Sequence, residues 1–296
     1  MNTTLTLNLV KRGIDAVNKR VGTTRETWRN IGPPVTTKEG IYRVVNISDM
    51  DYMQLTGQGE DITPSGREKL TDTEYRPKKF SKLFDWTIEA AIFDVYGEAV
   101  KVTKTIMRLD KKTQNREMCG LFNDGFTVNG YDGVPLFSAA HTDVTAGTAV
   151  QSNLHTVALG TSSLQTALVS LYSQLDADGL PLDLEGSVTL HVPINLWPLS
   201  YELTENTREK PGTTDRDPNW SALYVKPDVQ RHMTSTTGFV LKMSDPEEHG
   251  FRMLQFGGGG LIWREGQNVS NGTDAIAANR LFLPMYSQWR GSVGKS

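Results

Sequence analysis

An α+β fold is predicted for this 296-residue chain by three observations. One long stretch has helical apolar spacing and a shorter one follows it. The strand-like runs sit before and after these two helices, mixed in order, not in regular βαβ alternation.

Residues 5–21 place Leu5, Leu9, Val10, Ile14 and Val17 near helical spacing with charge between them, which predicts a short amphipathic helix. The breaker-rich link around Pro33 and Pro34 follows, because consecutive prolines remove backbone donors and force extended geometry. "IYRVVNI" at 41–47 reads as a strand. The next polar stretch, 56–80, carries Gly57, Gly59, Pro64 and Gly66 and has almost nothing to bury, so it gains order only by lying on something else.

Asp94 is placed to cap a long helix, in which Val95, Ala99, Val102, Ile106 and Leu109 recur at helical steps. Its opposite face is cationic, with Lys101, Lys104, Arg108, Lys111, Lys112 and Arg116. Run to about Phe122, it would be about 42 Å long. Asn129-Gly130 is a two-residue hairpin signal, with Asp132-Gly133 just behind it. A second helix is predicted over 161–175 from Leu164, Leu168, Leu171 and Leu175 behind Ser/Thr caps. "SVTLHVPINLW" at 187–197 reads as a buried strand, and loops with helix fragments fill 200–235. Strands at 238–245, on either side of the glycines 257–260, and at 279–293 complete the chain.

Composition narrows the function. The hydrophobic fraction is 38% and no run of about 18 apolar residues could span a bilayer. The N-terminus lacks a secretory core, so a cytosolic site of synthesis is expected, with no membrane partner. The one cysteine, Cys119, excludes an internal disulfide and reads as a buried, inert thiol. Residues 1–43 carry net +5 and the remainder −8, so a basic arm leads into an acidic body. That asymmetry suits docking on a neighbouring copy or contact with nucleic acid.

Ser138, His141 and Asp143 look like hydrolase chemistry, yet residues so close in one loop seldom form a nucleophile–base–orienter chain, and no G-x-S-x-G elbow is present. His141 is expected to bond to its loop backbone. Gly257–Gly260 lacks the Lys-Ser/Thr and helix of a phosphate cradle. His141, His155, His191, His232 and His249 are scattered without metal-ligand spacing. No catalytic, cofactor or metal residue is assigned.

The order of parts, with "DGVPLFSAAHT" at 132–142, Asp178-Gly179, Pro181-Leu182 and Trp289-Arg290-Gly291, resembles the major capsid protein of tailed bacteriophages, nearest the Mu-type head-subunit group. The resemblance implies the HK97-like capsid fold, with residues 1–45 as N-arm and 46–84 as E-loop. Residues 85–150 would be the P-domain, with its spine helix at about 94–122, and 151–255 the A-domain. Residues 256–296 would be strands that return to the P-domain or complete the A-domain.

It further implies self-assembly into an icosahedral shell in the host cytoplasm, the virion being the final location. Partners would be many copies of itself as pentamers and hexamers, a portal protein, a separate scaffold protein and packaged double-stranded DNA. E-loop contacts are expected at Gln58, Glu60, Asp61, Arg67, Glu68 and Lys69. Arm or DNA contacts are expected at Lys11, Arg12, Lys19, Arg20 and Arg25. An encapsulin-like nanocompartment shell is the alternative, and a serine hydrolase a distant one. No N-terminal processing is expected, and Lys78 and Lys79 identify no cross-link.

Overall fold

The computed structural model describes residues 25–47, 69–87, 98–142, 149–205, 219, 221–268 and 273–296. The amphipathic helix at 5–21, the Asp94 cap and the tip of the polar stretch lie outside these residues. A one-turn helix α1 (Trp28–Ile31) opens the described chain. It is pinned to the long helix α2 (Glu98–Asp124) by Asn115, whose Oδ1 accepts from the Trp28 N–H at 3.1 Å while its Nδ2 donates to the Arg25 carbonyl.

α2 has 27 residues, about 40 Å, and ends two residues beyond the expected limit. Its buried line drifts. Thr103, Ile106, Met107, Gln114, Met118, Cys119 and Phe122 face inward, whereas Leu109, expected on the apolar stripe, is 39% exposed. A stripe with steps of four and three repeats every 3.5 residues, and a straight helix of 3.6 residues per turn rotates away from it. Cys119 is fully buried, and burial first, then Asp228, pushes its thiol up to about 12, so it is inert.

The described strands form three sheets. The largest combines β1 (Pro34–Thr37), β4 (Lys78–Thr87), β8 (Phe251–Phe256), β9 (Ile262–Asn268) and β10 (Thr273–Tyr286). β10 is its long central strand, with β4 along one edge. Along the other edge β9 pairs residues 273–279 and β8 pairs residues 282–286, both antiparallel, so β8 and β9 run end to end in one direction. The glycines between them therefore make a bulge, not a reversal, and three consecutive left-handed residues, Gly257, Gly258 and Gly259, absorb the extra chain.

The second sheet has the order β11-β7-β5-β6, from β5 (Val188–Val192), β6 (Val225–Val229), β7 (Phe239–Met243) and β11 (Ser292–Lys295). The predicted strand at 187–197 is five residues long. Pro193 offers no N–H to the ladder, and the chain turns through Ile194–Leu196 into α4 (Trp197–Thr204) before the short α5 (Ser221–Tyr224) leads into β6. Between α2 and β5, α3 (Thr161–Tyr172) packs on this sheet. α3 stops three residues early because Gln174 turns away to bond β11. No Ser/Thr side chain caps it; Ser163 Oγ donates back to the carbonyls of Ala158 and Gly160. The third sheet is an antiparallel ribbon of β2 (Tyr42–Ile47) and β3 (Lys69–Tyr75).

Two apolar cores result. In one, Leu164, Leu168 and Leu171 of α3 meet Val188, Leu190, Leu241 and Met243; in the other, Trp28, Met118, Phe122, Phe251, Phe282 and Trp289 meet. β7 joins them, because its side chains alternate: Phe239, Leu241 and Met243 enter the first core and Val240 the second.

Candidate assembly surfaces

The hydrolase-like trio is not a catalytic array among the described residues. Ser138 Oγ accepts from the Ala140 N–H at 3.2 Å and makes no bond to His141, and Asp143 lies outside the described residues. His141 is fully buried and bonds side chains, not its loop backbone as expected: Nδ1 lies 2.6 Å from Asp132 Oδ2 and Nε2 3.0 Å from Asn153 Oδ1. The Asn153 orientation is fixed, since its Oδ1 also accepts from the Ser138 N–H and its Nδ2 donates to the Leu136 carbonyl. Both ring nitrogens of His141 thus face acceptors. The ring stacks on Trp289 with centroids 4.1 Å apart, and the Arg290 guanidinium lies 4.6 Å from the same indole.

This stack is the meeting point of every motif that carries the resemblance. Arg290 Nε donates to the Leu175 carbonyl at 2.9 Å, and Gln174 accepts from the Gly291 N–H while donating to the Ser292 carbonyl. Leu175 in turn pairs with Pro181 across the Asp178-Gly179 turn. Gly291 sits at φ +72°, and a Cβ there would lie 1.9 Å from the Glu248 carbonyl oxygen, so no other residue fits. The hairpin signal moved by three residues: Asn129 bridges Pro135, the Gly130 N–H donates to the Val134 carbonyl, and the reversal runs through Asp132-Gly133 with Gly133 at φ +83°. Asp132 is needed there for His141, which is why the turn closes on it. Asp132, Trp289 and Arg290 stand out in the sequence as motif residues without a visible partner, and no local pattern singles out Asn153.

A second polar node lies on the face of the second sheet that meets α2. His191 Nδ1 is 2.9 Å from Asp228 Oδ2, its ring 5.1 Å from that of Phe122. Asp228 also accepts from Asn30 of α1 at 2.7 Å and from Gln230. Burial raises the Asp228 carboxyl, but the bonds from His191, Asn30 and Gln230 together hold it below the usual carboxylate range. Beside it, Lys242 Nζ lies 3.1 Å from His249 Nε2, and His249 Nδ1 accepts from the Phe251 N–H. Burial lowers the lysine to about 8 and, with Lys242 and Arg252 nearby, the histidine to about 2. This node fastens the base of the arm to both cores. Among the described residues no group of three or more His, Cys, Asp or Glu is placed to hold a metal ion.

The β2–β3 ribbon is tied down near both ends of its described length, by Asn46 Nδ2 to the Ser287 carbonyl at 2.8 Å and by Tyr75 Oη to the Tyr286 carbonyl at 2.6 Å. On the opposite face, Val45 and Ile47, either side of Asn46, are exposed, as are Leu83 and Phe84 of β4. Gln58, Glu60, Asp61, Arg67 and Glu68 lie outside the described residues, and Lys69 is the first residue of β3. Lys11, Arg12, Lys19 and Arg20 also lie outside them. Arg25 is described and exposed, on a groove between α1, α2 and α4.

No family model and no curated protein sequence matches the chain, so the likeness lies in structure. The bacteriophage PhiM1 mature capsid superposes with a TM-score of 0.57 at 8% identity, over 91% of this chain and 86% of that one. A virus-like particle from Pyrococcus furiosus gives 0.53 at 9% identity, over 98% of both chains. The SrpI encapsulin of Synechococcus elongatus PCC 7942 gives 0.54 at 12% identity, over 94% and 89%. Architecture and the length of the likeness agree: the chain has the α+β, HK97-like fold of capsid and encapsulin shells.

Proposed function

We propose that this protein is the major capsid protein of a tailed bacteriophage or prophage, acting by self-assembly and not by catalysis. The observation that carries the reading is the end-to-end match to shell subunits, with two packed cores and a ribbon that projects uncovered apolar residues. In this reading α2 is the spine helix of the P-domain, and β9 and β10 are strands that return to it. The second sheet with α3 and α4 forms the A-domain. Residues 46–84 form the E-loop, with Gln58, Glu60, Asp61, Arg67, Glu68 and Lys69 reaching a neighbouring copy.

Many modest interfaces of this kind sum by multivalency into a stable shell. Pentamers and hexamers of the chain, a portal, a separate scaffold and non-specifically held double-stranded DNA are its partners, and the shell assembles in the host cytoplasm. A second reading, an encapsulin-like compartment enclosing a protein cargo, is favoured by the likeness to the SrpI encapsulin. Electron microscopy of the purified protein tests the first. Shells, tubes or capsomers are expected, and discrete small oligomers alone would overturn it. The contents of particles from the native host separate the two, nucleic acid supporting the virus and an enzyme the compartment.

A further inference from the structure

The cationic face of α2 takes no part in packing the subunit. Lys101, Lys104, Arg108, Lys112 and Arg116 are all exposed. At 100° per residue their spacing confines them to about a third of the helix circumference, in a row about 22 Å long. Like charges four residues apart repel, so the row weakens its own helix. Among the described residues Lys104, Arg108 and Lys112 have no ion pair. The nearby carboxylates are already engaged: Glu26 with Arg29 and Lys111, Asp110 with Arg280, Glu117 with Arg116, and Asp228 with His191.

At Lys112 the row opens into the groove that Arg25 borders. This groove, about 540 Å³, adds Arg231 to the cations, is lined also by His232 and by Asp228, whose carboxylate is held by His191, and is walled by Trp197 and Tyr201 of α4. The two aromatic side chains are 49% and 39% exposed, with ring centroids 6.0 Å apart. Burial, then Arg116 and Lys112, lowers the pKa of His232, so the ring sits in the groove as a neutral imidazole at pH 7. Cations alone would suit any polyanion. Exposed flat aromatics beside them suit one whose repeat carries both a charge and a π-face, and the groove volume lies in the range of small-ligand pockets.

We propose that this face binds a single-stranded nucleic-acid segment, with phosphates along Lys104, Arg108 and Lys112 and one unpaired base in the groove against Trp197. An acidic polypeptide would match the charges but leave the aromatic wall unused. The inference goes beyond the capsid reading, whose packaged DNA is double-stranded, and does not rest on it. Its test needs no shell and so fails or succeeds separately.

Fluorescence anisotropy of a labelled oligothymidylate with the full-length protein, across 50–200 mM salt, reads the contact. Each neutralised phosphate contributes a slope of about −0.7 in log K against log salt. The triple variant K104Q/R108Q/K112Q should therefore flatten the slope by about 2. Trp197→Ala should weaken the oligothymidylate about 5- to 150-fold with the slope unchanged. A duplex of equal length should not feel the Trp197 change. An unaltered slope in the triple variant would overturn the proposal. So would an unchanged affinity in Trp197→Ala, or displacement of the strand by polyglutamate as effectively as by unlabelled oligothymidylate. Circular dichroism confirms that both surface variants fold.

Discussion

The second sheet and the β2–β3 ribbon use the same kinds of residue to opposite ends. Val188, Leu190 and Val192 of β5 are fully buried under α3, whereas Val45 and Ile47 of β2 are 42% and 48% exposed. Leu83 on the neighbouring β4 edge is 61% exposed. Strand propensity is alike in both regions; what differs is the cover that the chain itself provides. The sheet is finished within one subunit, while the ribbon presents apolar residues that none of the described residues covers.

The sharpest break in that contrast is Trp289→Ala. Trp289 is fully buried between His141 and the second core, so its loss should cost about 3–5 kcal/mol, read as a fall in the Tm of the unassembled subunit. A change of a degree or two would show that the motifs do not meet at a structural hub.

Next is His141→Gln, which leaves the buried Asp132 carboxyl without its hydrogen-bond partner and should cost about 1–3 kcal/mol in urea unfolding. Arg43→Gln is its counterpart on the ribbon. Its pair with Asp72 is exposed, and the expected loss is below about 1 kcal/mol. Equal costs would erase the distinction between the two regions.

Lys242 sharpens the comparison through pH. Its folded pKa, about 8, lies below the ordinary 10.5, so between these values the unfolded chain binds more protons and stability rises with pH. From pH 7 to 9.5 Lys242 should add about 2 kcal/mol, which Lys242→Met should remove, while Cys119, pushed up to about 12, offsets about 1 kcal/mol as the unfolded thiol ionises. The scan stops short of pH 10, because burial pushes Tyr75 up to about 12 and stability then falls as the unfolded tyrosine ionises. A pH dependence left unaltered by Lys242→Met would mean that burial does not lower the Lys242 pKa.

The smallest effect on the subunit belongs to the ribbon. The double change Val45→Ser and Ile47→Ser should alter stability by no more than about 0.5 kcal/mol yet prevent shells in electron micrographs. Removal of residues 55–68 should act likewise, giving a soluble, folded subunit without a shell. If either change unfolds the subunit, the ribbon belongs to its core and the comparison fails.

Local chemistry made much of this legible. The long helix, α3 and the β-rich runs followed from periodicity, and the burial of Cys119 from its being the one cysteine. The misread details are those set by partners far along the chain. Leu109 turned outward as the helix rotated away from its 3.5-residue stripe. The strand at 187–197 ended at Pro193, and the glycines 257–260 became a bulge because β8 and β9 share one edge of β10.

By itself the sequence determined the kinds of element, their order and the separation of a basic arm from an acidic body, since these depend on neighbours within a few turns of chain. It also marked the short motifs that suggested a shell subunit. Only the tertiary structure decided what those motifs do. His141 meets Asp132, Asn153 and Trp289, and Arg290 reaches Leu175, across separations of 9 to 148 residues that no local pattern encodes. The same holds for the cations of α2. Their spacing was visible, but their meeting with Trp197 and Arg231 depends on how α4 and β6 fold back onto the helix.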